Sequence, residues 1–266
     1  MHAYVNTAIT AARKAGRIII QAFDRLDEVE VNTKKSKHDY VTTADIASEE
    51  AIIEILQQAY PKHRFLGEET GNIGPEDSPH EWVIDPLDGT ANFVHGYPYF
   101  CISIALRYKG KVEHAVIYDP IKDDIYCASL GGGAQKNNHR LRLNKHKLLD
   151  KALIGTALPS TKSHLRSTFI EANKTVIENC SSLRICGAAA LDLAYVAAGS
   201  LDGFWSVGLK PWDVAAASLI IKEAGGIVMD HQGGESYIDS GNIIAANPKL
   251  IKQLVSSLKP YLVEFA

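Results

Sequence analysis

Val5, Ile9, Ala12, Gly16 and Ile19 or Ile20 recur at helical spacing, with basic residues on the opposite face. This periodicity predicts an amphipathic helix over residues 3–23. A second apolar stripe, Ile46, Ile52, Ile53, Leu56 and Tyr60, predicts another helix, with Asp45 as its N-cap and Pro61 as its stop. After the GEETG turn and the polar 71–81 loop the period shortens. WVID, FCISIALRY, VEHAVIYD and IYCASL are short β-rich runs separated by turns such as KGK and PIKDD, a pattern that predicts an antiparallel meander. GGGA at 131–134 lacks the Gly-Lys-Ser/Thr that continues a phosphate loop, and it reads as a turn.

The second half alternates. ALIGTAL reads as a strand, 164–179 as a helix, LRIC as a strand and GAAALDLAYVAAG as a closely packing helix of small residues. DGFWSV is strand-like, and PWDVAAASLIIKEAGG has proline near its start and glycine past its end, as helices do. IVMD, NIIAAN and a helix from about 247 complete the chain. The pattern is mixed α and β throughout, with no internal repeat and no low-complexity linker.

The 266 residues, 46% hydrophobic and 22% charged, fit one large domain or two packed subdomains. A net charge of −3 implies no broad basic field for direct nucleic-acid binding. Lys34-Lys35 and Lys145-His146-Lys147 read as solvated loops. Cys101, Cys127, Cys180 and Cys186 form no Cys-x-x-Cys pair, and the ten histidines show no zinc spacing, which suits a reducing cytoplasm. Arg13, Lys14 and Arg17 interrupt any signal-peptide core, and no apolar run is long enough for a membrane span. A cytoplasmic location is expected.

Chemistry concentrates in WVIDPLDGTANF at 82–93. A strand ends at Asp85, Pro86 disfavours helix before it, and Gly89 permits a tight backbone approach to Asp88 and Thr90. Two carboxylates converging around such a turn suit magnesium and phosphate oxygens, while a structural Asp-turn with a Thr cap uses the same residues. The haloacid-dehalogenase pattern D-x-D-G-T has one residue between its aspartates, and here there are two. Glu68 and Glu69 end an apolar turn, RFL, and Asp213 sits in the first turn of a helix; each has an ordinary surface or dipole role as well.

Taken together, GEE at 67–69, WVIDPLDGTANF and PWDVAAASLIIKEAGG at 211–226 resemble the inositol monophosphatase family. DYVTTAD at 39–45, ALDLAYVAAG at 190–199 and NIIAANP at 242–248 extend the resemblance over nearly the whole chain, and the bacterial SuhB-like branch is nearest. The resemblance implies an α+β fold, a layered α-β-α-β-α sandwich, with an N-terminal half at 1–145, a C-terminal half at 146–266 and the active site between them. It implies two or three Mg2+ ions. Glu68, Asp85 and the Leu87 carbonyl would hold one, and Asp85, Asp88 and Asp213 a second. A looser third would use Glu68 through water, with Glu69 in support.

By the same resemblance, Thr90 orients the attacking water and Asp45 with Glu68 completes a proton relay. Leu87, Asp88, Gly89 and Thr90 cradle the phosphate. Asp88, Asp213, Arg184 and the backbone of Gly187, Ala188 and Ala189 surround the alcohol, with Arg184 also suiting a surface or subunit interface. Ala188 stands where relatives often have Ser or Thr, Ala91 where the bacterial branch often has Thr, and Ser206 where many inositol-phosphate enzymes place Glu. A neutral hydroxyl at 206 cannot accept the same charge-assisted hydrogen bonds from ring hydroxyls. The implied activity is hydrolysis of a small phosphorylated polyol or sugar, inositol 1-phosphate first. Fructose 1,6-bisphosphate and 3′-phosphoadenosine nucleotides are the alternative substrates. The resemblance also implies lithium sensitivity, a homodimer with Arg184 or helix 187–199 near its interface, and a regulatory role among transcription-machinery proteins.

Overall fold

The computed structural model describes residues 2–33, 40–144, 148–159 and 163–265. Lys34-Lys35, Lys145-His146-Lys147 and the 145/146 boundary lie outside the described residues. In chain order the elements begin with α1 (Ala3–Phe23), β1 (Val31–Thr33), β2 (Tyr40–Thr42), α2 (Thr43–Ala59), β3 (Arg64–Gly67), β4 (Gly71–Ile73), β5 (His80–Asp88) and α3 (Thr90–Val94). There follow β6 (Cys101–Tyr108), β7 (Lys111–Asp119), β8 (Asp124–Ser129), β9 (Gly133–Lys136), β10 (His139–Arg140), β11 (Leu153–Thr156), α4 (Ser163–Asn179) and β12 (Ser182–Arg184). The chain closes with α5 (Ala189–Ala198), β13 (Gly203–Ser206), α6 (Pro211–Glu223), β14 (Ile227–Met229), α7 (Tyr237–Ser240), β15 (Ile243–Ala246) and α8 (Ile251–Leu262).

The expected meander is present. Strands β5 to β10 run antiparallel in sequence order within a sheet of order β10-β9-β8-β7-β6-β5-β3-β4, with short turns joining β6 through β10 and the segment that carries α3 joining β5 to β6. RFL is not a turn but part of β3, which pairs parallel to β5. A second sheet has the order β12-β11-β13-β15-β14, parallel from β12 to β13 and antiparallel beyond. β1 and β2 form a separate antiparallel pair.

Three apolar clusters stack these elements into five layers. Helices α1 and α2 cover one face of the large sheet, and α5 and α6 fill the space between the two sheets. α4 and α8 cover the outer face of the small sheet. The layering follows from side-chain size. Ala8, Ala11, Ala12 and Ala15 bury a flat face of α1, and a Cβ on Gly16 would lie 2.4 Å from the Tyr118 ring. At the other end of the range, Trp82 and Trp205 are fully buried, and truncating such a side chain costs roughly 3–5 kcal/mol.

One cap differs from expectation. Asp45 does not begin α2; Thr42 is the N-cap, accepting from Ala44 N at 3.1 Å and Asp45 N at 3.4 Å. Asp45 returns the bond, accepting from Thr42 N at 2.8 Å, so the pair forms a capping box. No helix among the described residues is long and apolar enough to cross a membrane.

Candidate active site

The spacing of Asp85 and Asp88 is explained by a bulge. In a regular strand, residues three apart point to opposite faces. Here Asp85 pairs with Ser103 and Asp88 with Cys101, so Pro86 and Leu87 together oppose Ile102. The extra residue resets the alternation. Val83, Cys101 and Ala105 belong to the cluster between the sheets, whereas Trp82, Ile84 and Leu87 face α1 and α2. Both carboxylates therefore share the inner face. The Leu87 N–H donates to Asp85 Oδ1 at 3.0 Å and secures the bulge.

Asp213 arrives from the second half. Pro211 opens α6, and the Trp212 carbonyl accepts from Ser103 Oγ at 2.9 Å, which docks the helix start on β6. Asp213 Oδ2 accepts from Lys210 N at 2.7 Å. One oxygen each of Asp85, Asp88 and Asp213 lies within 4.8 Å of the others. Burial, then repulsion from Glu68, Asp88 and Asp213, holds Asp85 well above the usual carboxylate range. Burial is also the main cause at Asp88, pushed up to about 7, and at Asp213, pushed up to about 8 with Asp88 adding repulsion. Glu68 acts on all three, so the structure brings it into the same field.

Beside this cluster, Thr90 Oγ1 has two acceptors in reach, Asp45 Oδ1 at 2.9 Å and the Leu87 carbonyl at 3.1 Å. Thr42 Oγ1 donates to Asp45 Oδ2 at 2.6 Å, so both oxygens of this buried carboxylate are oriented. Burial outweighs those bonds and raises Asp45 to about 6. The GEE turn is fixed by a residue that its own position in the sequence does not advertise. Glu49, fully buried in α2, accepts from Glu69 N at 3.1 Å and Thr70 N at 2.7 Å. A Cβ on Gly67 would lie 2.5 Å from that carboxylate.

The opposite wall is the start of α5. Asp88 accepts from Ala189 N at 3.2 Å and Ala190 N at 2.7 Å, so it caps a helix 101 and 102 residues away. Gly89 adopts φ +98°, and a Cβ there would lie 3.2 Å from the Ala188 methyl. Gly187, at φ +88°, packs against Asn92. Two expected residues make their hydrogen bonds to neighbours outside the cluster. Arg184 is exposed at the end of edge strand β12 and donates to Ser182 Oγ at 2.6 Å and the Leu183 carbonyl at 3.0 Å. Ser206 is fully buried and donates to the Ala157 carbonyl at 3.0 Å.

Three close carboxylates that cannot all ionise in a buried setting call for a counter-charge. Their hard oxygens fit magnesium, and a bound dication offsets both the desolvation and the mutual repulsion. The glycine loop at 131–133 is not a competing anion site, because the Gly131 and Gly133 N–H groups each donate to Glu223 at 2.7 Å.

Comparisons with known proteins give the family and the fold. The inositol monophosphatase family profile matches residues 1–261. Nus factor SuhB of Pasteurella multocida is 45% identical over 262 residues, covering 98% of each chain. The crystal structure of extragenic suppressor protein suhB from Bartonella henselae superposes with a TM-score of 0.93 at 42% identity, covering 97% of this chain and 99% of that one. The Thermotoga maritima IMPase gives 0.89 at 30% identity over 100% of both chains. Layered fold and acidic cluster together define a class, the phosphatases of this sandwich architecture. Within it, the chain belongs to the inositol monophosphatase family.

Proposed function

We propose that the protein is a magnesium-dependent phosphomonoesterase that hydrolyses a small phosphorylated polyol or sugar, inositol 1-phosphate first among them. The observation that carries this reading is the convergence of Asp85, Asp88 and Asp213 within 4.8 Å. Glu68, Asp85 and the Leu87 carbonyl would hold one ion and Asp85, Asp88 and Asp213 another, in a cleft between halves 1–145 and 146–266. Bound magnesium supplies charge neutralisation and a water of lowered pKa.

The chain's own groups do the rest. When Thr90 donates to Asp45, its oxygen lone pairs remain to accept from the attacking water. Asp45, near pH 6, is mostly ionised at neutral pH and is matched to taking a proton, with Glu68 completing the relay. The N–H groups of Gly89 and Thr90 hold phosphate oxygens. The alcohol side is met by Asp88, Asp213 and the 187–189 backbone, with Arg184 at its margin. Ser206 supplies no carboxylate there, which supports weakened myo-inositol selectivity and tolerance of other sugar phosphates. Lithium competition at a magnesium position and a homodimer belong to the same reading.

The test is a panel of phosphate esters assayed with magnesium present, omitted and chelated, alongside Asp85→Asn. Loss of turnover on chelation and in the variant is expected; activity indifferent to both would overturn the mechanism. A second role, binding transcription-machinery proteins, is supported by the name Nus factor carried by the Pasteurella multocida relative. A cellular role that persists in Asp85→Asn would separate it from hydrolysis.

A further inference from the structure

Asn92 lies within the aspartate motif, yet no metal or phosphate task falls to it. Its Nδ2 donates to the Tyr99 carbonyl at 2.7 Å and to the Cys186 carbonyl at 2.8 Å, which uses both amide protons. The next residue, Gly187, passes so close that a Cβ would lie 3.0 Å from both Nδ2 and Oδ1 of Asn92. Beyond it, Ala189 and Ala190 give their N–H groups to Asp88. Asp88 and Asn92 thus grip the same incoming turn, one on its amides and the other on a carbonyl that precedes them. A further bond closes the circuit. Tyr99, whose carbonyl Asn92 holds, donates its hydroxyl to Asp192 Oδ1 at 2.5 Å, and Asp192 is fully buried in α5.

We propose that Asn92 is a positioning residue for Asp88. Its carboxamide staples the turn before α5 to the chain after α3 and thereby fixes the two amides that orient the Asp88 carboxylate. The inference rests on the phosphatase reading only where it treats Asp88 as a magnesium ligand. Aspartate cannot substitute at 92, because its ionised side chain would present only acceptors to two carbonyl oxygens.

The test compares Asn92→Ala and Asn92→Asp with Asn137→Ala. Asn137 also makes two side-chain bonds, at 2.8 Å each, to Asp124 and Ile125, in the β8–β9 region of the large sheet. Tyr99→Phe keeps volume and backbone while removing the second latch, so it serves if the Asn92 variants do not fold. Hydrogen exchange is measured on the metal-free protein and magnesium affinity by calorimetry. The staple predicts loss of protection at Ala189 and Ala190 in the Asn92 variants while β6 and β7 remain protected. It also predicts magnesium affinity weakened ~10–100-fold, as for other groups that orient metal ligands. Tyr99→Phe should shift both readouts in the same direction by less, and Asn137→Ala should leave both unchanged. Native protection at 189 and 190 without Asn92, or equal weakening by Asn137→Ala, would overturn the assignment. A wild-type protein that binds no magnesium would refute the phosphatase reading, while the exchange result would still decide the staple.

Discussion

Neutralising Asp213 should stabilise the metal-free protein and cost it the stabilisation that magnesium gives. The folded-state carboxyl titrates at about 8 against an ordinary 3.8. Between those values the folded chain retains a proton that the unfolded chain has released, so stability is greatest below 3.8 and falls as pH rises toward 8. At about 1.4 kcal/mol per pH unit, the interval up to pH 7 corresponds to about 4 kcal/mol as an upper bound, because Asp85 and Asp88 share the repulsion. Asp213→Asn removes this term and keeps an oxygen for the Lys210 N–H. Chains of this size shift by about 2–4 °C per kcal/mol, so the metal-free variant should melt higher than wild type by several degrees at pH 7. The gap should close as the pH falls toward 4. With magnesium at 100 times its dissociation constant, wild type should gain about 2.7 kcal/mol and the variant much less. Melting followed by circular dichroism from pH 4 to 8, with chelator or magnesium, reads all of this. A metal-free variant that melts lower at pH 7, or a gap independent of pH, would refute the reasoning.

Other variants probe the neighbouring groups. In wild type, kcat/KM should rise with pH as Asp45 ionises near 6, and Asp45→Asn should abolish that limb and lower turnover by about 10²–10⁴-fold. Glu49→Gln leaves one of two amide N–H groups facing a donor, which should cost about 1–3 kcal/mol in urea unfolding and weaken magnesium binding through the GEE turn. Ser206→Ala should leave the ranking of kcat/KM across phosphate esters nearly flat; strong preference for inositol 1-phosphate surviving in that variant would defeat the account of selectivity.

The alternation of the chain made the large sheet legible, since β6 to β10 pair with sequence neighbours through short turns. Strand β3 was not legible as a strand, because it is only four residues long and sits between a three-residue neighbour, β4, and a parallel partner, β5, that lies beyond it in the chain. Asp45 looked like an N-cap because carboxylates at N-cap and N3 leave similar traces, and only the reciprocal bonds with Thr42 separate them. The aspartate motif was visible by its spacing, but its shared face depends on the bulge opposite Ile102, which no local pattern announces. Glu49 was hidden among the charged residues of an amphipathic helix. Its task emerges only where the backbone of Glu69 and Thr70 returns to meet it.

The bonds from Ala189 and Ala190 to Asp88 also set a timetable. A ribosome adding about 5–20 residues per second needs roughly 5–20 s to travel the 101 residues between Asp88 and Ala189. Throughout that interval the nascent chain carries Asp85 and Asp88 without α5 to receive one of them and without Asp213. On the magnesium reading, capture of the ion would be an event of the finished polypeptide, and a fragment released before α5 would emerge with its acidic pair unassembled.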